Sequence, residues 1–338
     1  MTIIYLHIGM PKTGTSFLEN FLFDNREKLL EKGYLYPITG TNLSSQSLIT
    51  RSAHRQLVIS LLKQHHHRSN GVDNLGIWEE LKSEIKTTQP KSVIISSEAF
   101  TGHQGSYNPE VIALTKKMLE EYETKIVVYL RRQDKFLSSY YCQRIKSPGS
   151  IDAAVKTDIK EFILEWKYQA DYYSVLELWK DSFGVKNIIV RPFEKEQMKN
   201  GSLVDDFLET VNLNNNGNEF QFIQHLNTSP SFKVIRTIIW LEKNIQKIQF
   251  SKPFQKQLQK HEKLRYLFPK IKHITKPFIL SKGVSSFISS LPEFIISNKD
   301  IFSQEDRVSI MKEFEESNRK VAKEYLGRED GRLFYSQP

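Results

Sequence analysis

The chain is nearly devoid of cysteine: Cys142 is the single one among 338 residues. One thiol can close neither an internal disulfide nor a cysteine-rich metal site. An oxidised scaffold is excluded and a reducing compartment is expected. Long apolar runs are lacking as well. No stretch approaches the ~18 residues of a membrane-spanning helix, and mean hydropathy is −0.45. The opening MTIIYLHIG has neither a basic leader nor a small-residue cleavage site, so no secretory signal is expected. Internal repeats and low-complexity tracts are missing too. What is there is an ordinary globular composition, 39% hydrophobic and 26% charged, which rules out wholesale disorder.

Negative charge is scarce in one region. Residues 233–282 hold thirteen Lys or Arg and only two acids, Glu242 and Glu262. That excess is larger than the whole chain's net +9. Such a region can recruit an anionic substrate, an anionic membrane face or nucleic acid, or form a solvated helix surface.

The first 200 residues alternate between short apolar runs and amphipathic stretches. Strands are expected at Ile3–Ile8, Tyr34–Pro37, Lys91–Ser97, Lys125–Leu130 and Asn187–Pro192. Helices are expected at 15–32, 54–68, 77–87, 108–123, 134–146 and, as one or two pieces, 158–183. Residues 38–53 are polar and turn-rich and read as a mobile loop. Beyond residue 200 the pattern is mainly helical. Pro253 can open a helix to about Leu264, and 305–326 reads as one terminal helix closed by Gly327. The expected fold is α/β, a mainly parallel central sheet flanked by helices, with helical additions in the C-terminal half.

The segment His7-Ile-Gly-Met-Pro-Lys-Thr-Gly-Thr-Ser16 lies between an apolar strand and a helix. Gly9 and Gly14 permit tight turns and close backbone approach. Thr13 to Ser16 offer amides and hydroxyls at a helix start, where the helix dipole favours anions. Lys12 adds a positive charge, so the loop suits a phosphate or sulfate. It is not a Walker A loop, in which Lys follows the second Gly; here Lys12 precedes Gly14. No apolar strand ends in the Asp that would hold Mg²⁺. His65, His66 and His67 are adjacent, so on a helix they diverge, and no Cys or carboxylate completes a metal site.

PKTGTS after a first strand resembles the 5′-phosphosulfate loop of sulfotransferases that use 3′-phosphoadenosine 5′-phosphosulfate (PAPS). That resemblance implies a second anion grip: an Arg at a later strand end with a Ser eight residues on, both holding the 3′-phosphate. Arg131, closing KIVVYL, and Ser139 match it, with Arg132 and Ser138 as alternatives. The usual Asn-Pro after the Arg is Arg132-Gln133 here. Val190–Glu194 with the following helix, and Asn318–Phe334, are weaker similarities. In some family branches a basic C-terminal loop also reaches the 3′-phosphate, a role open to Arg328 or Arg332. The resemblance implies a P-loop NTPase-like sheet in a single sulfotransferase domain over 1–338. Its nucleotide-binding core is residues 1–200 and its helical, basic acceptor side 201–338.

Lys12, Thr13, Gly14, Thr15, Ser16, Arg131 and Ser139 are then the residues that bind PAPS as co-substrate, and no metal is expected. Lys12 would stabilise the leaving phosphate and Glu98, closing VIISSE, would be the base. His7 and His103 are alternative bases and, with Arg144, candidate acceptor contacts. The implied acceptor is a hydroxyl of a carbohydrate or glycolipid. Residues 233–282 would flank the acceptor cleft or meet an anionic membrane surface, and no nucleic acid partner is expected. The expected location is cytoplasmic, with peripheral membrane contact allowed. Two other functions stay open: a P-loop nucleotide kinase or NTPase, and a non-enzymatic basic module for anionic glycans or nucleic acid.

Overall fold

The computed structural model describes residues 2–43, 51–66, 75–102, 108–146, 159–214, 219–221, 231–240, 279, 282–290 and 299–338. The helix expected from Pro253 and most of the basic 233–282 region lie outside these residues. The strands are β1 (Ile3–His7), β2 (Tyr34–Leu35), β3 (Ser92–Ser96), β4 (Glu123–Leu130) and β5 (Ile188–Pro192). They form one sheet of order β2-β3-β1-β4-β5, and every pairing is parallel. The protein is thus an α/β fold on a parallel central sheet.

Parallel strands need crossovers, and the helices that make them cover both faces. The helices are α1 (Thr15–Asp24), α2 (Arg26–Glu31), α3 (Arg55–His66), α4 (Gly76–Thr88), α5 (Ala99–Gly102), α6 (Pro109–Met118) and α7 (Gln133–Lys146). They continue with α8 (Ile159–Trp166), α9 (Tyr172–Phe183), α10 (Leu203–Thr210), α11 (Lys282–Ser290), α12 (Gln304–Glu313) and α13 (Glu315–Leu326). Strand residues alternate between faces. Ile4, Leu6 and Ile8 join Val93, Ile95, Ile126 and Val128 against side chains of α3, α4, α6 and α9. Tyr5, Ile94, Val127 and Tyr129 face the other way, onto Leu18, Phe21 and Leu22 of α1 and Phe207 and Leu208 of α10. Each fully buried aliphatic side chain contributes about 2 kcal/mol of transfer free energy.

By backbone proximity the chain divides into two compact units. One comprises 1–136, 169–226 and 311–338 and holds the whole sheet; the other comprises 137–168 and 227–310. Within the second, Tyr141 packs edge-on against Phe162. There Asp300 accepts from Ser138 Oγ at 2.5 Å and pairs with Arg307.

Several expected boundaries shift. The single helix over 15–32 is two helices. The Asn25 side chain breaks it by donating to the Phe21 and Gln221 carbonyls, both at 2.9 Å. The helix expected to reach Glu123 ends at Met118, because β4 must start at Glu123 to pair opposite Ile3. The terminal helix is interrupted at Phe314, whose side chain is buried. The described ends of the 38–53 loop are tied down. Ser52 donates to Asn20 at 2.6 Å, and the Ile38 and Thr39 amides donate to the Glu84 carboxylate. No helix among the described residues is long and apolar enough to cross a membrane.

One buried carboxylate locks α10 to the sheet. Asp206 is fully buried. It pairs with Arg191 of β5, accepts from the Tyr129 hydroxyl at 2.8 Å and accepts from the Lys199 amide at 2.9 Å. Removing one partner of a buried pair strands the other. Asp206→Ala is therefore expected to cost on the order of 3 kcal/mol in urea unfolding. A loss below about 1 kcal/mol, the scale of a surface pair, would remove Asp206 from this role.

Candidate functional site

In an open parallel sheet, ligands bind beyond the carboxyl ends of the strands. The favoured place is where adjacent strands send their connections in opposite directions. The chain leaves β1 toward β2 and β3, and leaves β4 toward β5 on the other side. The reversal falls between β1 and β4, so the loop after β1 and the residues after β4 meet there.

The loop backbone is shaped by three positive φ angles, at Gly9 (36°), Lys12 (69°) and Gly14 (78°). A Cβ on Gly9 would stand 2.7 Å from Thr15 Cγ2 and 3.1 Å from the Glu98 backbone. One on Gly14 would stand 2.7 Å from Leu203 Cδ2. Both sites are strained for any larger residue. The Thr13 and Thr15 hydroxyls turn to the loop's own backbone. Both donate to the Met10 carbonyl, at 2.7 Å and 3.3 Å, and so close the loop on itself. The amides are the available donors. Phe17 and Leu18 donate to the Gly14 carbonyl, but those of Thr13, Gly14, Thr15 and Ser16 donate to no backbone acceptor among the described residues. Four consecutive amides at a helix start, next to Lys12, are the kind of donor set that anion sites use.

The two sequence motifs meet at this point. The half-buried Arg131, just past β4, donates from Nη1 to the Lys12 carbonyl at 2.8 Å. The Tyr172 hydroxyl donates to the Arg131 carbonyl in turn. Arg132 does not share this place. It is buried, forks onto Asp134 at 2.6 Å and 2.8 Å, and donates to Ser336 and the Gln337 carbonyl. Ser139 lies half-buried on α7, in the second unit, and Ser138 is committed to Asp300. Arg144 rests its guanidinium over the Trp166 ring, 5.0 Å from the centroid. Arg328 donates to Gln197 and to the Arg332 and Leu333 carbonyls, which makes it a strap of the C-terminal segment. His103 lies outside the described residues.

On the other flank of β1, Glu98 follows β3 and is half-buried. Burial pushes its carboxyl above the ordinary value, while the charges of Lys12 and Arg55 pull it back down. A carboxylate kept basic beside a cation suits proton abstraction. His7 is a core residue rather than an acceptor contact: it is 1% exposed and edge-on to Tyr129 and Phe207. Burial lowers its pKa to about 3, so it is neutral at physiological pH.

Sequence reasoning missed Glu19, Arg55 and Thr101. Glu19, 2% exposed on α1, lies with Oε1 3.2 Å from Ser96 Oγ. Its signal is a polar pair, Glu19-Asn20, inside the apolar run Phe17–Phe23. Arg55 and Thr101 carry no such signal, because only the fold delivers them. His54 anchors the start of α3: its Nδ1 accepts the Ser96 amide at 3.1 Å and its Nε2 bonds the Pro37 carbonyl at 2.9 Å. Arg55 is thereby brought to Glu98. Thr101 braces the loop by donating to the Gly9 carbonyl at 2.6 Å. Among the described residues no His, Cys, Asp or Glu group is arranged to hold a metal ion.

Fold and loop define the class: a parallel α/β protein with a glycine-turned, lysine-bearing loop at its switch point. No family profile matches the chain. Over 236 residues it is 29% identical to an uncharacterized protein of Archaeoglobus fulgidus, which covers 70% of this chain and 54% of that protein. The chain thus spans about half the length of the curated relative it matches.

The two adjacent arginines are expected to separate in unfolding experiments. Arg132→Ala removes the two-bond fork onto buried Asp134 and is expected to lose about 3 kcal/mol. Arg131→Ala removes a half-buried bond to one carbonyl and is expected to lose about 1 kcal/mol. Equal losses would mean that Arg131 is as structural as its neighbour.

Proposed function

We propose that the chain is a sulfotransferase that uses PAPS and sulfates an acceptor hydroxyl. The observation that carries the reading is the Arg131–Lys12 hydrogen bond. It joins two anion-binding motifs, far apart in sequence, at the switch point of the sheet. The seat also fits the group in its donor set: four amides without a backbone acceptor, a lysine, and glycines that hold the backbone open.

PAPS, when bound, supplies an activated sulfuryl group with an adenosine phosphate as leaving group. The amides of Thr13 to Ser16 and the Lys12 ammonium would hold its 5′-phosphosulfate. Arg131 would take the 3′-phosphate, where its planar donors suit two oxygens at once. Ser139 enters as its partner through the family resemblance alone. Lys12 is suited to offset charge growing on the departing phosphate oxygen, as in other in-line transfers. Glu98 would accept the proton of the attacking hydroxyl. Its burial raises its basicity, against the opposing charges of Lys12 and Arg55. A carbohydrate or glycolipid acceptor follows from the resemblance, which is an analogy.

Transfer of ³⁵S from labelled PAPS to a panel of saccharides and glycolipids tests this. Turnover is expected to persist in EDTA. Lys12→Ala and Glu98→Gln are each expected to lower it about 100-fold or more, and Arg131→Ala to weaken binding of 3′,5′-ADP. Magnesium-dependent ATP turnover would favour a kinase or NTPase. Neither nucleotide binding nor transfer across the panel would overturn the proposal.

A further inference from the structure

Three polar side chains lie sealed between the sheet and α1. Ser96 Oγ stands 2.8 Å from His7 Nδ1 and 3.2 Å from Glu19 Oε1. His7 and Glu19 are both at least 98% buried, and His7 Nε2 has no hydrogen-bond partner. Strand pairing fixes part of this line, since His7 and Ser96 are register partners in β1 and β3.

The line admits two hydrogen-bond polarities. In the first, His7 Nδ1–H donates to Ser96, Ser96 donates to Glu19, and Glu19 is a buried anion. No cation among the described residues contacts Glu19 to offset it. His7 faces it only through Ser96, and the remaining titratable neighbours are Glu98 beyond β3 and the Tyr36 hydroxyl after β2. Lys12 and Arg55 act on Glu98 instead. An unpaired buried carboxylate is strongly disfavoured. In the second polarity a neutral Glu19 donates to Ser96, Ser96 donates to His7 Nδ1, and the imidazole proton sits on Nε2. Every group in the line is then uncharged, and only the His7 N–H lacks a partner.

We propose that Glu19 is a positioning residue that stores one proton beneath Glu98, relayed through Ser96 to His7, and leaves Glu98 the single ionised carboxylate of the site. Burial first, then repulsion from Glu98, push the Glu19 carboxyl up, against hydrogen bonding to its charged form, which pulls it down. The part of the inference that concerns Glu98 as a base rests on the sulfotransferase reading; the placement of the proton does not.

The test has a spectroscopic arm and a kinetic arm. In full-length protein with ¹³C-labelled glutamate and ¹⁵N-labelled histidine, the Glu19 carboxyl resonance is assigned by its loss in Glu19→Gln. It is expected to remain that of a protonated acid at pH 7, with His7 as the Nε2–H tautomer. A Glu19 resonance that titrates near pH 4.5, or an Nδ1–H tautomer, would overturn the proposal whatever the enzyme does. In the kinetic arm, Glu19→Gln keeps a neutral donor to Ser96. It is expected to leave the acid limb of the kcat profile in place. Ser96→Ala interrupts the relay and is expected to shift that limb upward with KM unchanged. A Glu19→Gln limb displaced by a full unit would refute a neutral Glu19. If no acceptor is ever sulfated, the sulfotransferase reading fails and the spectroscopic result still decides the proton's position.

Discussion

The bond from the Arg131 guanidinium to the Lys12 carbonyl is the contact on which the site depends. Lys12 sits in the left-handed region at φ 69°, a conformation that costs a non-glycine residue about 1–2 kcal/mol. That geometry fixes where the carbonyl points, and a charged donor there offsets the cost. The same turn aligns the following amides. Without it, the loop would lack a reason to hold its donors in one concave row.

The pairing of β1 between β3 and β4 makes this contact possible. Both pairings are parallel, so three chain segments leave the sheet at the same edge. The loop after β1 is central, Glu98 lies on one flank and Arg131 on the other. Cations and a carboxylate therefore approach one loop from opposite sides, without any of them being neighbours in sequence. Thr101 and Tyr172 brace this arrangement through main-chain carbonyls, at Gly9 and Arg131. Beneath it lies polar material in an otherwise apolar layer. Glu19, Ser96, His7 and His54 sit where a core of aliphatic residues would give more stability, and their burial is what gives the site its unusual proton affinities.

Much of this was legible in the chain itself. The strand order of apolar runs and amphipathic stretches reveals an α/β fold, because buried parallel strands need near-continuous aliphatic sequence. The loop was legible because glycines, hydroxyls and a lysine fall together between a strand and a helix. The use of the loop was less legible: Thr13 and Thr15 turned their hydroxyls inward to Met10, which depends on φ angles that a string of letters does not carry. The division of labour between Arg131 and Arg132 was invisible for the same reason. They are adjacent and chemically identical, yet one faces the loop and the other is captured by Asp134 and the C-terminal segment.

Local pattern, then, determined the secondary elements, the parallel sheet and the position of the glycine- and lysine-bearing turn, since each follows from spacing along a short stretch of chain. Tertiary structure alone decided which charges act on Glu98, which arginine reaches the loop, and that Glu19 lies beneath the site. Those outcomes rest on contacts between residues tens to hundreds of positions apart, and on how completely water is excluded from them, which no local spacing encodes.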